Sequence, residues 1–522
     1  MDIRYLRRFL LIEHLHSNQN SSIELIKIVK LLNVSYPTVK KIINEIKFDI
    51  EELDYQSYVE LTDVFEHNRV IWNVKKNFSL SVFRLYYLEQ SYRFRMFSLF
   101  LEPKKWTVSD ITKKLNITYA MAKKEISFLS TYFQLYAKNI KLNHERKIFL
   151  QGDEITIRLL YTGVFQNVYG GYKWPFLFIS THEVSEVLSV LAGKVYQEFT
   201  PRFLSIRFGL AVSLLRAKKQ PIPNNPYYWS PANDREKNMY EAFINLLKRK
   251  GTMINTNALE REAKFLISCL IANDVGNNTG YTSDFFTNNP KLEEINFSSW
   301  VGEKLEVVEQ YALRTMTKEE RMMAKARLNG IFYQILLYKE ALQQSILDLF
   351  VHYPFEFPEN KERERTFYRI FMKKAYDKSD SIESDYVEYL CVAYYKFLFF
   401  ELDRYLFHPK IRIFIMGCRT PEMLLSTKMQ TIGNYFLVEV VKNFSEDVDL
   451  IISDIALSTV NNVILPKRTP IVYLNSTYCA KDSELLQETL TKIADEKYKQ
   501  KKYRWRKRIY DELQISSFTL IF

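Results

Sequence analysis

The sequence predicts a mainly α, multidomain fold that opens with two winged helix-turn-helix units and ends in a small α/β unit. Three observations carry this. "LNVSYPTVKKII" (Leu32–Ile43) returns as "LNITYAMAKKEI" (Leu115–Ile126) at a constant offset of 83 residues. Residues 172–405 show helical periodicity and few strand signals. Beyond residue 410, short Ile- and Val-rich runs recur with room for helices between them.

At 522 residues the chain is too long for one core and divides into about three to five domains. Hydrophobic residues make up 47%, enough for large cores. Only 13 glycines are present, which disfavours glycine-rich phosphate loops and favours helix. The formal net charge is +12, and residues 1–150 hold 24 Lys and Arg against 16 Asp and Glu. A basic domain attracts nucleic acid or an anionic membrane, unless the charge only solvates the surface.

Four cysteines (Cys269, Cys391, Cys418, Cys479) lie far apart without a CxxC pair. No disulfide framework or metal site is indicated, and a reducing cytoplasm fits. The start, "MDIRYLRRFLLIEHLHS", has an apolar stretch cut by Glu13, unlike a signal peptide. No run of about 18 apolar residues suggests a membrane span.

The second copy of the repeat is the cleaner one. Thr107-x-x-Asp110 is an N-cap signal with an acid in the first turn. Val108, Ile111 and Leu115 follow at helical spacing. Asn116-Ile117 makes a turn, and Thr118 caps a second helix with Ala122, Ile126, Leu129 and Phe133 inward. Two short helices with a tight turn and a small residue at their approach describe a helix-turn-helix. Tyr119, Ala120, Met121, Lys123, Lys124 and Ser127 face outward, where a recognition helix meets the major groove. The lysines suit phosphates. No Arg or Gln is among these positions, so the usual bidentate readers of guanine and adenine are missing and DNA shape gains weight.

The first copy follows the same logic. Ser21-x-x-Glu24 is expected to start its leading helix one turn earlier. Ile28 and Leu32 line the inner face, Asn33-Val34 turns, Ser35 caps, and Pro37 sits in the first turn. Val39, Ile43 and Ile46 face inward; Tyr36, Thr38, Lys40 and Lys41 face out. Downstream, "HNRVIW" (His67–Trp72) matches "HERKIF" (His144–Phe149) at an offset of 77, each reading as the turn and returning strand of a hairpin. Such a wing touches minor groove or backbone, and the alignment gives Arg69 and Arg146 the same place in it. "SVFRLYY" (81–87) and "TIRLLY" (156–161) read as the next helices.

This order of elements resembles the Mga-type virulence regulators of low-GC Gram-positive bacteria. The likeness rests on the twin winged copies, on "LQGDEITIRLLYTGVF" (Leu150–Phe165), and on the C-terminal "KIRIFIMG", "DVDLIISD" and "TPIVYLNS". The resemblance implies transcription activators with two winged helix-turn-helix domains (1–75 and 76–170). Two helical-bundle regulation domains of the sugar phosphotransferase system (PTS) follow (171–290 and 291–405), then an enzyme IIB-like α/β domain with a basic tail (406–522). It also implies control by phosphorylation on histidine and by dimerisation. The implied partners are AT-rich double-stranded promoter DNA, RNA polymerase, PTS phosphocarrier proteins and a second copy, in the cytoplasm and without a membrane.

In the middle of the chain, "STHEVSEVLSVLAGKVYQEF" and "NALEREAKFLISCLIAND" read as amphipathic helices. "PIPNNPYYWSPAND" (221–234), "NNTGYTSDFFTNNPKLEE" (277–294) and "HYPFEFPENKERER" (352–365) read as loops or linkers. Seven histidines are present. Under the resemblance His182 and His352 are the candidate phosphorylation sites, with His408 behind them; a structural or surface role is the alternative for each.

"IRIFIMG" (411–417), "YFLVEVV" (435–441), "VDLIISD" (448–454) and "PIVYLN" (470–475) suggest a parallel sheet, with a helix in "SELLQETLTKIADEKY". Cys418 follows the first strand, where enzyme IIB of the transport type carries its phosphocysteine. Here Pro421 removes a donor and Glu422 repels phosphate, so packing or subunit contact suits Cys418 better. The tail "KYKQKKYRWRKR" (497–508) has eight basic residues in twelve, for DNA backbone, an acidic partner or solvent.

The expectation is a DNA-binding transcription regulator, an activator of virulence or metabolic genes. It is expected to be no enzyme and to carry no catalytic residue, cofactor or metal. The rival readings are a PTS-controlled RNA-binding antiterminator and a phosphocysteine carrier. The winged pairs argue against the first and the loop after Cys418 against the second.

Overall fold

The structure, a computed structural model, describes residues 1–18, 22–64, 68–75, 79–102, 104–137, 139–170, 173–192, 201–217, 220–249, 256–273, 285–286, 289–312, 315–342, 386, 389–390, 393–394, 397–398, 402, 406, 409–416, 437–441, 447–453, 469–473 and 484–497. His67, His352, His408, Cys418, the loop 352–365, most of 277–294 and the tail beyond Lys497 lie outside them. The described residues are mainly helical, with short sheets near both ends. They fall into two compact units: Met1–Ile295 with residues 329–342, and Asn296–Leu328 with the C-terminal sheet.

The chain begins with α1 (Ile3–Ser17), β1 (Ser22–Glu24), α2 (Leu25–Leu32), α3 (Tyr36–Glu52), β2 (Val59–Val64) and β3 (Arg69–Val74). β3 lies between β1 and β2, both antiparallel to it. Leu11, Ile12 and Leu15 of α1 share one core with Ile28, Val39, Ile43, Ile46, Val70 and Trp72. This is a winged helix, and its hydrophobic periodicities explain it: every third or fourth residue of α3 is buried, and alternate residues of β3 are. One expectation fails. Ser22–Glu24 is a strand, and the helix starts at Leu25. Ile23 is buried opposite Val70 between two exposed neighbours, and all three residues pair with Arg69–Ile71 of β3.

α4 (Leu80–Gln90) follows, its Phe83 and Tyr87 buried in the first core. The second copy comprises α5 (Tyr92–Leu99), α6 (Val108–Leu115), α7 (Tyr119–Tyr136), β4 (Ile140–Asn143) and β5 (Phe149–Gly152). Trp106 pairs with Ile148 through two backbone hydrogen bonds of 2.9 and 2.7 Å. This repeats the Ile23–Val70 pairing of the first copy. α8 (Glu154–Tyr169) closes the unit, stacking Tyr161 on Phe97 at 4.4 Å between ring centroids.

The helical middle contains α9 (Thr181–Ala192), α10 (Pro201–Ala217), α11 (Asp234–Arg249), α12 (Thr256–Ala272), α13 (Pro290–Glu293), α14 (Phe297–Tyr311) and α15 (Lys318–Leu342). The proline-rich stretch between α10 and α11 has neither helix nor strand at 221–233. It is nevertheless anchored: Trp229 is buried, and its N–H donates to Ser268 Oγ at 2.8 Å.

At the C-terminal end, β6 (Lys410–Met416), β7 (Leu437–Val441), β8 (Leu450–Ser453) and β9 (Ile471–Tyr473) form a parallel sheet in the order β7-β6-β8-β9. α16, over residues 484–497, packs Leu486, Leu490 and Ile493 on Ile411, Ile413, Leu450 and Val472. The four apolar runs contain the four strands; of them β8 is buried along its whole length.

Candidate nucleic-acid interface

The turn between α6 and α7 is built from local chemistry. Thr107 and Asp110 form a capping box at the start of α6. Asn116, at φ 54°, ends that helix in the left-handed region, which asparagine tolerates. Thr118 then caps α7, its Oγ accepting the Met121 N–H at 3.2 Å. Ala122 is fully buried where α6 and α7 meet; Ile126, Leu129 and Phe133 continue that face. The first copy matches residue for residue at the offset of 83: α2 spans Leu25–Leu32, Asn33 is left-handed at φ 49°, and α3 starts at Tyr36. Its cap differs. Ser35 accepts no backbone N–H; its hydroxyl lies 2.8 Å from that of Thr38.

The outward faces of the two recognition helices share one device and differ in another. Lys40 lies 5.0 Å from the Tyr36 ring centroid, and Lys123 lies 5.1 Å from that of Tyr119. In the first copy the Tyr36 hydroxyl donates to Asn68 Oδ1, tying α3 to its wing. Tyr36, Thr38 and Lys40 are half-buried and only Lys41 is exposed. In the second copy Tyr119 (58%), Met121 (37%), Ala120, Lys123, Lys124 and Ser127 are all exposed.

The wings correct the sequence alignment by one residue. Because Val70 and Ile148 hold the equivalent pairing, the structural offset is 78, not 77. Buried Trp72 then corresponds to buried Leu150. Arg69 opens β3, whereas Arg146 lies in the bend before β5; the counterpart of Arg69 is Lys147. Arg69, Arg146 and Lys147 are all exposed. A slip of one residue exchanges the faces of a strand, so burial decides the register and the shared His-x-Arg letters do not.

Charge separates the copies. From Lys104 to Lys147 the sequence has ten Lys and Arg and three Asp and Glu. The corresponding stretch of the first copy, residues 21–69, has six against nine. Two of the three acids in the second copy are engaged: Asp110 in the capping box, and Glu125 with Arg93 at 2.7 Å. Backbone hydrogen bonding by Thr107 holds the Asp110 carboxyl below its ordinary range. Lys104, Lys105, Lys113, Lys114 and Lys147 are exposed and add to the basic surface. Motif spacing does not single them out; local charge balance does.

The LQGDE stretch after the second wing fixes the exit of the chain. Gly152 has φ 145°, and a Cβ there would stand 1.9 Å from the Asn139 carbonyl oxygen. Asp153 caps α8 by accepting the Thr156 N–H at 2.7 Å. Elsewhere, His182 is exposed in the first turn of α9. Among the described residues no helix is long and apolar enough to cross a membrane.

No curated protein proved similar to the chain. Residues 76–165 match the family model of the Mga helix-turn-helix domain. The match begins just before α4, takes in α6, α7 and the wing, and ends within α8. Residues 76–165 are thus similar to a Mga helix-turn-helix domain.

Proposed function

We propose that the chain regulates transcription by binding duplex DNA, with the second winged unit making the principal contact. The observation that supports this most directly is the surface of that unit: a fully exposed recognition-helix face with Lys123 and Lys124, inside a stretch of ten basic and three acidic residues. A phosphate backbone rewards such a surface through counterion release. The first copy, with more acids than bases and a recognition helix tied to its wing, plays the lesser part.

In this reading the chain activates promoters in the cytoplasm, recruits RNA polymerase and acts as a homodimer. PTS phosphocarriers set its state by phosphorylating histidine. His182 is accessible for this at a helix N-terminus, which favours an added negative charge; His352 is the other candidate. Phosphoryl transfer that persists in a His182→Ala, His352→Ala variant would remove both sites.

The deciding experiment is binding of the full chain to an AT-rich, intrinsically bent duplex and to a straight mixed one, across a salt series. Tight binding with a steep salt slope is expected, stronger on the bent duplex. Absence of binding at low salt would refute the reading.

A further inference from the structure

We infer that the second recognition helix reads thymine through its C5-methyl groups, with Tyr119 and Met121 as the specificity-determining side chains. The inference rests on the proposed DNA contact of the second winged unit and names what that contact recognises.

The first turn of a recognition helix is the part that reaches base edges. In α7 that turn carries Tyr119, Ala120 and Met121, all exposed, and Lys123 follows. Of the backbone N–H groups here, that of Met121 is taken by Thr118 Oγ. Guanine in the major groove is read by Arg or Lys, adenine by Asn or Gln, and cytosine by an acceptor such as Asp or Glu. None of these occurs in the first turn, Tyr119 to Met121; in the stretch to Ser127, Lys123 and Lys124 are the residues of this set that face out. Glu125, the acid in this stretch, is buried and paired with Arg93. An aromatic ring, a methyl and a thioether remain. The one feature of the major groove that matches apolar side chains is the methyl group of thymine.

The surrounding charge fixes how these groups would be presented. The Lys123 ammonium lies 5.1 Å from the Tyr119 ring centroid, so the cation sits against the ring. Lys124 is exposed beside it, and Arg146 and Lys147 are exposed on the wing. Phosphate contacts from these residues set the register, which leaves the bases to the first turn. Tyr119 and Met121 are exposed apolar side chains that a methyl-lined groove can cover. The first copy lacks an equally free turn: Tyr36 is held by Asn68, and the Thr38 hydroxyl is close to Ser35.

The test uses the full-length chain and a 30-base-pair A·T duplex, made once with thymine and once with uracil, which differs only by the missing methyl. Affinities are measured by fluorescence anisotropy at one salt concentration. Burying one methyl corresponds to about a fourfold change in affinity, ~0.8 kcal/mol. The uracil duplex is expected to bind at least that much more weakly. In the Tyr119→Ala, Met121→Ala variant, the two duplexes are expected to bind alike. Equal affinity of the wild-type chain for both duplexes overturns the inference and leaves DNA binding standing. So does a uracil penalty of the same size in the variant, since the methyl would then act through duplex shape. Failure to bind either duplex overturns the inference together with the proposed function. Both substitutions are at exposed positions, and thermal melts of the variant confirm that α7 is intact.

Discussion

Arg158 of α8 and Glu262 of α12 face each other as a bidentate pair, at 2.7 and 2.8 Å, with both side chains buried. Glu154 joins Arg158 at 2.9 Å and Arg216 of α10 at 2.7 Å, so two arginines and two glutamates form one buried network. It links the last helix of the Mga segment to the helical middle. The charges stabilise one another only while all partners remain. Arg158→Met leaves Glu262 with the Ile222 N–H at 2.9 Å and no counter-charge. The expected loss of stability is about 3–5 kcal/mol. Adding Glu262→Leu to Arg158→Met is expected to recover much of it, because Glu154 still has Arg216. Urea unfolding of both variants measures the difference; equal loss in single and double variants would sink the idea.

Gly152 is required by its surroundings. Its φ of 145° is one that L side chains rarely adopt, and an added Cβ would overlap the Asn139 carbonyl. Gly152→Ala is expected to destabilise by well over ~1 kcal/mol. Gly302, inside α14, has nothing within 4 Å of an added Cβ. There the same substitution is expected to stabilise by about 0.5–1 kcal/mol through helix propensity. Thermal melts of the two variants should shift in opposite directions.

The parts that local chemistry determines were legible in the sequence. Caps at Thr107 and Thr118, the turns at Asn33 and Asn116, and the inward row Ala122, Ile126, Leu129 and Phe133 depend on neighbours within one helical turn. The C-terminal strands were legible because each lies within a short Ile- and Val-rich run. Pairing over distance was not. The wing register depends on Trp106 meeting Ile148 across 42 residues, which shared letters in the two hairpins misplace by one. The strand at Ser22–Glu24 exists because β3 offers it a partner, so its own Ser-x-x-Glu spacing misleads. The Arg158–Glu262 pair spans 104 residues and leaves no local trace.

Acid should loosen the start of α6 through one carboxyl. Asp110 accepts from the Thr107 N–H at 3.0 Å, and these bonds lower its pKa from the ordinary 3.8. A carboxylate with a depressed folded pKa adds stability that is complete above the unfolded value. That stability is lost as pH falls through the folded one. The contribution is therefore intact above pH 3.8 and declines below it. Other carboxylates titrate in the same range, so the readout is the difference from Asp110→Asn. Protection factors in α6, taken relative to the intrinsic exchange rate at each pH, should fall on acidification in the wild type, and the variant should lack that decrease. Parallel curves for the two proteins would show that the capping box is not what acid disrupts.

The two lysine pairs test which winged unit holds the DNA. Lys123 and Lys124 are exposed amid a basic excess, whereas Lys40 is half-buried against Tyr36 in a unit with more acids than bases. Removing a cation that neutralises one phosphate lowers the slope of log K against log salt by ~0.9 on duplex DNA. Lys123→Ala with Lys124→Ala is expected to flatten the slope by up to about 1.8 and to weaken binding on every sequence alike, since phosphates carry no sequence information. Lys40→Ala with Lys41→Ala should change the slope by less, because the like charge of that unit already holds the duplex away. The reverse ranking would make the first copy the principal contact, and the tie between Tyr36 and Asn68 would then be a way of setting wing and helix for the groove.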